Sequence, residues 1–316
     1  MTTTNAATRA GIAAILLWSC TIAIARSLSE QVGALNAATA VYLIGGLAGR
    51  ARLQWLGTPS HTLLRLPRKY LFGCGGLFIF YTLMLYSAVG LAHDREQALE
   101  VGLVNYLWPA TTILLSVPLL GKRAGPFLLP GTMVAWAGVA FVMTQGSPVS
   151  WASLVDHVRG NPVAYAAALA GAISWALYSN LTRRWSPDGG AVEWFVLATG
   201  VILLAAGSFS TRHAVWTARA MIEAGFLGTI TAVAYGLWDL AMRRGNLTFV
   251  AACSYLTPLL STLISCAYLQ VVPSARLGLG SVLIVVGSIA SWRSISESRS
   301  GSPSGPPRPL DTESQR

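Results

Sequence analysis

The side chains best suited to chemistry in this sequence are aromatic residues that carry a polar edge and lie deep inside apolar runs. Such a ring stacks on other rings, and its hydroxyl or indole N–H needs a hydrogen-bond partner or a wet cavity. The aromatic candidates are Trp18, Tyr81, Tyr86, Tyr106, Trp108, Trp175, Tyr178, Tyr235, Trp238 and Tyr255. Asn105 and Ser254 add polar groups at similar depth. These residue types indicate binding of a small molecule, and packing between helices is the alternative for each ring.

Two related motifs place a proline inside an apolar run, NYLWP ending at Pro109 and SYLTP ending at Pro258. A proline in a helix has no N–H and clashes with the carbonyl four residues earlier, which here belongs to Asn105 or Ser254. Carbonyl groups freed in this way are costly in lipid unless something satisfies them. We expect both breaks to lie beside a central cavity. The alternative is a packing kink whose free carbonyl is satisfied by a neighbouring Ser or Thr.

One acidic residue, Asp239, lies well inside an apolar run. Acids within a membrane span are rare and are candidates for a functional site, here for proton coupling. However, Arg243 follows four residues later at the helix end, and this spacing favours a structural ion pair that reaches the surface. Glu100 lies one turn from Glu96 and is expected at the membrane interface. With no Lys or Arg at mid-membrane depth, no fixed cation is predicted to meet an anionic substrate group.

Enzyme signatures are absent from the sequence. It contains no HExxH motif, no nucleotide P-loop and no pair of intramembrane aspartates. Its four cysteines form no CxxC motif and are interpreted as small apolar residues. No catalytic residue, cofactor or metal site is therefore predicted.

The elements that must position these residues are membrane helices. The 316 residues are 53% hydrophobic and 11% charged, and apolar runs of about 20 residues recur along the chain, as expected for spans. The sequence predicts an all-α polytopic membrane protein with ten transmembrane helices, at 9–26, 34–55, 69–91, 97–120, 127–145, 162–182, 191–209, 218–241, 247–270 and 275–293. Residues 294–316 are rich in Ser, Pro and Gly and are predicted to be a disordered cytoplasmic tail.

The chain repeats itself after a shift of 149 residues, which places Tyr86 on Tyr235 and Pro109 on Pro258. The predicted units are a first five-helix repeat at 1–149 and a second at 150–293. Because five is odd, the second unit enters the membrane in the opposite orientation. This architecture is typical of secondary transporters, whose substrate site lies near mid-membrane where the repeats meet.

The basic residues support this inversion. With a cytoplasmic N-terminus, 16 Lys and Arg residues fall on the cytoplasmic side and 6 on the other, the bias of the positive-inside rule. The basic loop GKRAG becomes QVVPS in the second repeat, and the outer segment HDRE becomes the inner segment MRRG. Both termini are therefore predicted to be cytoplasmic. The net charge of +10 is therefore explained by the placement of basic residues on the cytoplasmic side of the membrane, where they also attract anionic lipid. No nucleic-acid partner is predicted.

With a Tyr in the third helix and a central Pro in the fourth helix of each half, the chain resembles the drug/metabolite transporter superfamily in its ten-helix EamA branch. Within that branch it is similar to the YddG-type exporters of aromatic amino acids, on the Tyr106-x-Trp108 motif and on deep rings such as Trp175. Many members carry a glutamate just after the proline helix, where this chain has Gly121-Lys122 and Gln270-Val271. The resemblance implies an exporter in the bacterial inner membrane with a broad, aromatic-lined cavity. A monomer is compatible with this architecture, and the sequence does not determine the oligomeric state.

The predicted function is export of aromatic and other neutral amino acids by alternating access. Three alternatives stay open at this point. Deep rings also suit cationic drugs or other small metabolites, through cation–π contacts. A membrane-embedded transferase would need convergent catalytic groups, and a channel or structural protein would not need an inverted repeat.

Overall fold

The computed structural model describes residues 3–55, 57, 63, 65–144, 151–186, 188–207, 215–269 and 275–297. Within these ranges the protein is built almost wholly of helices. The helices are α1 (Thr3–Val32), α2 (Ala34–Trp55), α3 (Gly75–Gly90), α4 (Arg95–Asn105), α5 (Trp108–Leu120), α6 (Leu128–Met143), α7 (Trp151–Gly160), α8 (Pro162–Trp185), α9 (Val192–Gly207), α10 (Ala218–Arg244), α11 (Leu247–Cys253), α12 (Leu256–Leu269) and α13 (Ala275–Arg293). A π-helical segment, Lys69–Cys74, leads directly into α3.

Within the described residues, the ten apolar runs identified in the sequence are helical, and two of them are broken. The fourth run is divided into α4 and α5, and the ninth into α11 and α12, whose axes differ by 41°. Within the described residues, four spans are long and apolar enough to cross a membrane, namely Lys69–Gly90, Glu96–Leu120, which includes the break between α4 and α5, Pro162–Trp185 and Ala218–Arg244. The bent pair of α11 and α12 adds a fifth, and shorter apolar helices accompany them. The chain is therefore an all-α, multi-pass membrane protein.

Polar caps begin several of these helices. The Asp94 carboxylate accepts a hydrogen bond from the Gln97 N–H at the start of α4, at 2.8 Å. The Asn246 side chain accepts one from the Phe249 N–H at the start of α11, at 3.1 Å. Each cap satisfies one of the N–H groups that the first helical turn leaves unpaired. These residues set where the first half of each broken helix begins.

Helices α6 and α13 approach closely along glycines. A Cβ atom on Gly138 would lie 2.8 Å from the Gly280 carbonyl oxygen, and one on Gly131 would lie 3.0 Å from that of Gly287. Both distances are too short for a side chain. The close approach of α6 and α13 is the kind of contact that small residues permit in membrane helices.

The other main helix pairs are α1 with α10, α2 with α9, and α3 with α8. Their shared core is a cluster of rings contributed chiefly by the π-helical segment, α3, α8, α9 and α10. Helix α7 is an addition that the apolar runs did not predict. It is short and amphipathic, and it packs against α4 and α8.

A small two-stranded sheet joins the end of α13 to the loop after α5. Strand β1 (Lys122–Ala124) pairs antiparallel with β2 (Ile295–Glu297). The prediction of a disordered tail beginning at 294 is therefore wrong for residues 295–297. Their backbone groups are paired in the ladder, although the local composition is polar. Residues 298–316 and the QVVPS segment at 270–274 lie outside the described part of the chain.

Candidate functional site

Both broken helices have their break beside the same cavity inside the protein. Pro109 and Pro258 stand in the first turn of α5 and α12, where a proline loses no helical hydrogen bond. Each proline therefore begins a new helix, which is the expected break and not the alternative of a packing kink within a continuous helix. The first break brings Asn105, Tyr106 and Trp108 to a central cavity, and the second brings Thr257 there.

This cavity, here named the central chamber, has a volume of about 350 Å³. Eight of the twelve predicted binding residues line it: Trp18, Tyr81, Tyr86, Asn105, Tyr106, Trp108, Trp175 and Tyr235. They come from α1, α3, α8, α10 and the first break. None of the residues described as lining the chamber is charged. The chamber is thus an uncharged space with an aromatic wall and scattered polar groups.

Trp175 is at the centre of the aromatic wall. Its ring lies 4.7 Å from Tyr81, 6.2 Å from Trp18, 6.3 Å from Trp108 and 5.9 Å from Tyr235, measured between centroids. Most of these pairs are tilted or edge-to-face, the arrangements that ring quadrupoles favour. The contacts hold the rings in place from four separate elements. A ligand ring can therefore enter a preformed wall.

The polar groups of the chamber are neutral. The hydroxyls of Tyr42 and Tyr235 are hydrogen-bonded to each other at 2.9 Å. The Asn105 side-chain oxygen is buried and accepts no hydrogen bond. Sequence reasoning missed Tyr42, although a tyrosine in the interior of the second apolar run was a usable signal. It also missed the small and apolar residues that complete the wall, among them Thr21, Ser29, Ala38, Val41, Leu85, Leu227, Thr231 and Thr257.

Four predicted binding residues, Tyr178, Trp238, Ser254 and Tyr255, lie outside this lining and are fully buried. Trp238 lies behind the wall, stacked on Trp175 at 5.9 Å. The Ser254 hydroxyl donates to the carbonyl of Val250 in its own helix. Tyr255 packs in a separate apolar cluster with residues of α4, α6 and α13. Because the sequence does not specify how each helix is rotated, it could not separate these residues from those that face the chamber.

A second cavity of about 630 Å³ lies further along α10. We name it the arginine cavity, since Arg50, Arg52, Arg65 and Arg243 line it. Acidic groups line it as well, namely Asp188, Glu193 and Asp239. Arg50 is buried, and its guanidinium lies 4.5 Å from the ring centroid of Trp194. Nothing in the sequence indicated this cavity, because its charges come from separate helix ends and loops.

Asp239 forms the predicted ion pair with Arg243, with the Nε to Oδ2 distance 2.7 Å. The carboxylate is 1% exposed, so the pair does not extend into solvent. The other oxygen, Oδ1, has no hydrogen-bond partner. The hydroxyls of Tyr178 and Tyr70 both lie close to this carboxylate, and that of Tyr178 makes no hydrogen bond of normal geometry. Asp239 therefore lies at the arginine cavity and not in the central chamber.

A second buried carboxylate, Glu100, belongs to α4 at the far end of the protein. It was expected at the interface, but it is 1% exposed because α7 and α8 cover it. It accepts hydrogen bonds from the Tyr165 hydroxyl, from His157 Nδ1 at 3.1 Å and from Ser153 at 3.4 Å. The bond to Glu100 raises the pKa of His157. Glu96 lies beside them, and by distance alone the three residues Glu96, Glu100 and His157 could hold a cation.

Comparison with known proteins gives consistent matches over most of the chain. The profile of the EamA-like transporter family matches residues 8–144 and 159–293. The chain is 31% identical over 291 residues to "Aromatic amino acid exporter YddG" of Salmonella typhimurium, covering 92% of this chain and 98% of that protein. It is 32% identical over 290 residues to the protein of the same name from Ancylobacter novellus, covering 90% and 96%.

A solved crystal structure also matches. It superimposes with a TM-score of 0.75 at 31% sequence identity, covering 90% of this chain and 97% of the other.

Proposed function

The chain belongs to the EamA-like transporter family, and from that premise we propose that it exports amino acids, aromatic and other neutral ones, across the bacterial inner membrane. Membership makes it a transporter and not an enzyme. The relatives named above are exporters of aromatic amino acids from bacteria. The substrate passes through the central chamber, which opens alternately to the two sides of the membrane.

The observation that carries this proposal is the aromatic, uncharged wall of the central chamber. Its volume of about 350 Å³ falls in the range of roughly 300–1,000 Å³ that small-molecule sites occupy. Rings already held by Trp175 can stack on the side chain of Phe, Tyr or Trp. The Asn105 oxygen and the tyrosine hydroxyls can meet the polar head of the substrate. Because no charged side chain lines the chamber, we expect low affinity and wide tolerance.

The architecture that we propose has ten membrane helices in two inverted repeats, 1–149 and 150–293. The contacts of α6 with α13 support it, since the shift of 149 residues that relates the repeats turns the contact between Gly131 and Gly287 into that between Gly280 and Gly138. The same shift relates α1 to α8 and α3 to α10, so that it turns the contact of α1 with α10 into the contact of α8 with α3. Such reciprocal contacts are those of a pseudo-two-fold axis between the halves.

Both termini are proposed to be cytoplasmic. The chamber then opens outward, because the α1–α2 turn contributes Ser29 and Ala37 to its rim, and the arginine cavity lies on the cytoplasmic side. Reporter fusions after Arg123 and after Ser147 should report opposite sides of the membrane. If fusions in the segments GKRAG and QVVPS report the same side, the inverted repeat is wrong.

Counterflow in proteoliposomes tests the function. Labelled Phe and Thr should exchange across vesicles that contain the protein, whereas labelled choline and a sugar phosphate should not. Exchange of choline alone would favour efflux of cations, which the ring wall could bind through cation–π contacts. Exchange of none of the four solutes would contradict the proposal.

A further inference from the structure

The arginine cavity is lined by side chains of both charge signs. Arg50, Arg52 and Arg65 line one part of it, and the buried Asp239–Arg243 pair lines another. Leucines complete the wall, among them Leu53, Leu63, Leu66, Leu237 and Leu240. A free amino acid has the same composition, with an ammonium group, a carboxylate and a side chain that is often apolar.

Three buried polar atoms between the two cavities lack hydrogen-bond partners. They are the Tyr178 hydroxyl, the Trp238 indole N–H and Asp239 Oδ1. Buried polar atoms are normally paired, because leaving one unpaired forfeits its hydration without compensation. A cluster of such exceptions indicates groups that find their partners in another state of the protein or in a ligand.

The residues that carry these three atoms connect the linings of the two cavities, since Tyr178 and Trp238 both pack against Trp175 and Tyr178 lies beside Asp239. Tyr235 lines the central chamber and Asp239 lines the arginine cavity, and the two residues are one helical turn apart on α10. That separation corresponds to a rise of about 6 Å. Trp238 lies between them, against Trp108 and Trp175 of the chamber wall. Along α10, the linings of the two cavities are therefore separated by one helical turn.

We propose that the arginine cavity is a second amino-acid site, where the substrate is loaded before it enters the central chamber. Asp239 Oδ1 accepts the ammonium group, and the arginines of the wall hold the carboxylate. The leucines receive the side chain. From there the substrate passes Tyr178 and Trp238 into the chamber. This site rests on the proposed function, since it requires that an amino acid is the cargo.

Access to Asp239 depends on the segment at Gly190. The backbone of Gly190 lies directly against Asp239 Oδ2 and Arg243, so closely that a Cβ atom there would overlap the carboxylate. The same segment carries Asp188, whose carboxylate is 4.0 Å from Arg244. When the segment of residues 188–190 moves aside, the carboxylate of Asp239 becomes reachable from the cavity. The site is therefore loaded in a state other than the one observed.

A cysteine in the wall tests occupancy directly. Leu53→Cys is alkylated with a membrane-impermeant maleimide in inside-out vesicles, and modification of that peptide is measured by mass spectrometry, which separates it from the native cysteines. Phe should protect the cysteine. Phenethylamine, which lacks the carboxylate, and 3-phenylpropionate, which lacks the ammonium group, should not protect it at ten times the half-protecting concentration of Phe. Equal protection by all three would overturn the two-charge site.

Variants separate this site from the central chamber, whose occupancy could also change the reactivity at position 53. Asp239→Asn should raise the half-protecting Phe concentration about tenfold, since a charge-assisted hydrogen bond is lost. Trp108→Ala, in the chamber wall, and Arg184→Gln, an exposed arginine outside the arginine cavity, should change it by less than about twofold. A shift with Trp108→Ala but not with Asp239→Asn would assign the protection to the chamber and overturn the proposal.

A lipid headgroup can also offer an ammonium group beside an anion. Glycerophosphoethanolamine is therefore tested as a protecting agent in detergent, and protection by it without protection by Phe would assign the cavity to lipid and overturn the amino-acid site. Failure of the transport proposal is distinguished by counterflow of the wild-type protein. Phe flux without protection of Leu53→Cys overturns the second site alone, whereas absence of all amino-acid flux overturns both.

Discussion

Two carboxylates are buried in this protein to the same extent, Glu100 near one end and Asp239 near the other, each 1% exposed. Glu100 accepts hydrogen bonds from side chains of two other helices, α7 and α8. Asp239 has an arginine on one oxygen and no partner on the other. The two carboxylates are therefore equally buried, but they differ in the hydrogen bonds that they accept.

The difference indicates what each acid does. A carboxylate surrounded by donors holds helices together, because its desolvation is offset by several charge-assisted bonds. A carboxylate with one unpaired oxygen beside a cavity retains the capacity to bind something else. Glu100 is therefore interpreted as the structural acid of the end of the protein that carries α7. Asp239 combines a structural bond to Arg243 with a second oxygen available to a ligand.

The largest expected effect comes from removing the partner of Asp239. Arg243→Gln leaves a buried carboxylate uncompensated, and loss of one partner of a buried pair costs about 3–5 kcal/mol. We expect this loss in the free energy of unfolding, measured by thermal or denaturant unfolding in detergent. Arg244→Gln, at an exposed pair 4.0 Å long, should cost no more than about 1 kcal/mol. Equal losses in the two variants would contradict the buried pair.

A smaller effect is expected at the structural acid. Glu100→Gln keeps the size of the side chain but removes the charge that three donors address, at a cost of about 1.5–3 kcal/mol. The free energy of unfolding should fall by this amount. The ratio of half-saturating concentrations for Phe and Thr transport should stay within about twofold of wild type. A change in that ratio without a loss of stability would make Glu100 a substrate-reading residue.

The chamber wall should show a still smaller but selective effect. Trp108→Ala removes one stacking ring, worth about 1 kcal/mol, so that the half-saturating concentration should rise about fivefold for Phe. Thr, which has no ring, should change by less than about twofold in the same counterflow assay. Trp292→Ala, remote from both cavities, is the control and should change neither. Equal losses for Phe and Thr would mean that Trp108 holds helices together without reading the substrate.

The smallest expected effect is a pH dependence of the stability of α7, at the end of the protein that carries Glu100. Because Glu100 raises the pKa of His157 in the folded protein, protonated His157 stabilises the attachment of α7. That contribution is fully present below the ordinary histidine value of about 6.5 and is lost as pH rises through the raised pKa. Asp94 and Glu96 of α4 act in the same direction.

Hydrogen exchange of the α7 amides, corrected for intrinsic rates, should therefore be faster at high pH than at low pH. His157→Gln should abolish this difference while leaving the exchange of α10 unchanged. A pH dependence that survives in His157→Gln would assign the effect to another group.

The sequence by itself determined the helices and where two of them break. A run of about 20 apolar residues must satisfy its own backbone in lipid, which leaves the helix as the local solution. A proline cannot continue a helix without losing a hydrogen bond, so NYLWP and SYLTP indicated the breaks within a few residues. The bond between Asp239 and Arg243 was predictable for the same reason, since a spacing of four residues places both on one helical face.

Only the tertiary structure decided which faces of those helices meet. Trp175 and Trp238 had equal standing in the sequence, yet one lines the central chamber and the other lies behind it. From the sequence, Glu100 was expected near the membrane surface, whereas in the structure α7 and α8 cover it. The arginine cavity combines Arg50, Arg65 and Asp239 from three distant segments. Such features depend on helix rotation and on contacts between remote residues, which apolar periodicity and charge spacing along the chain do not specify.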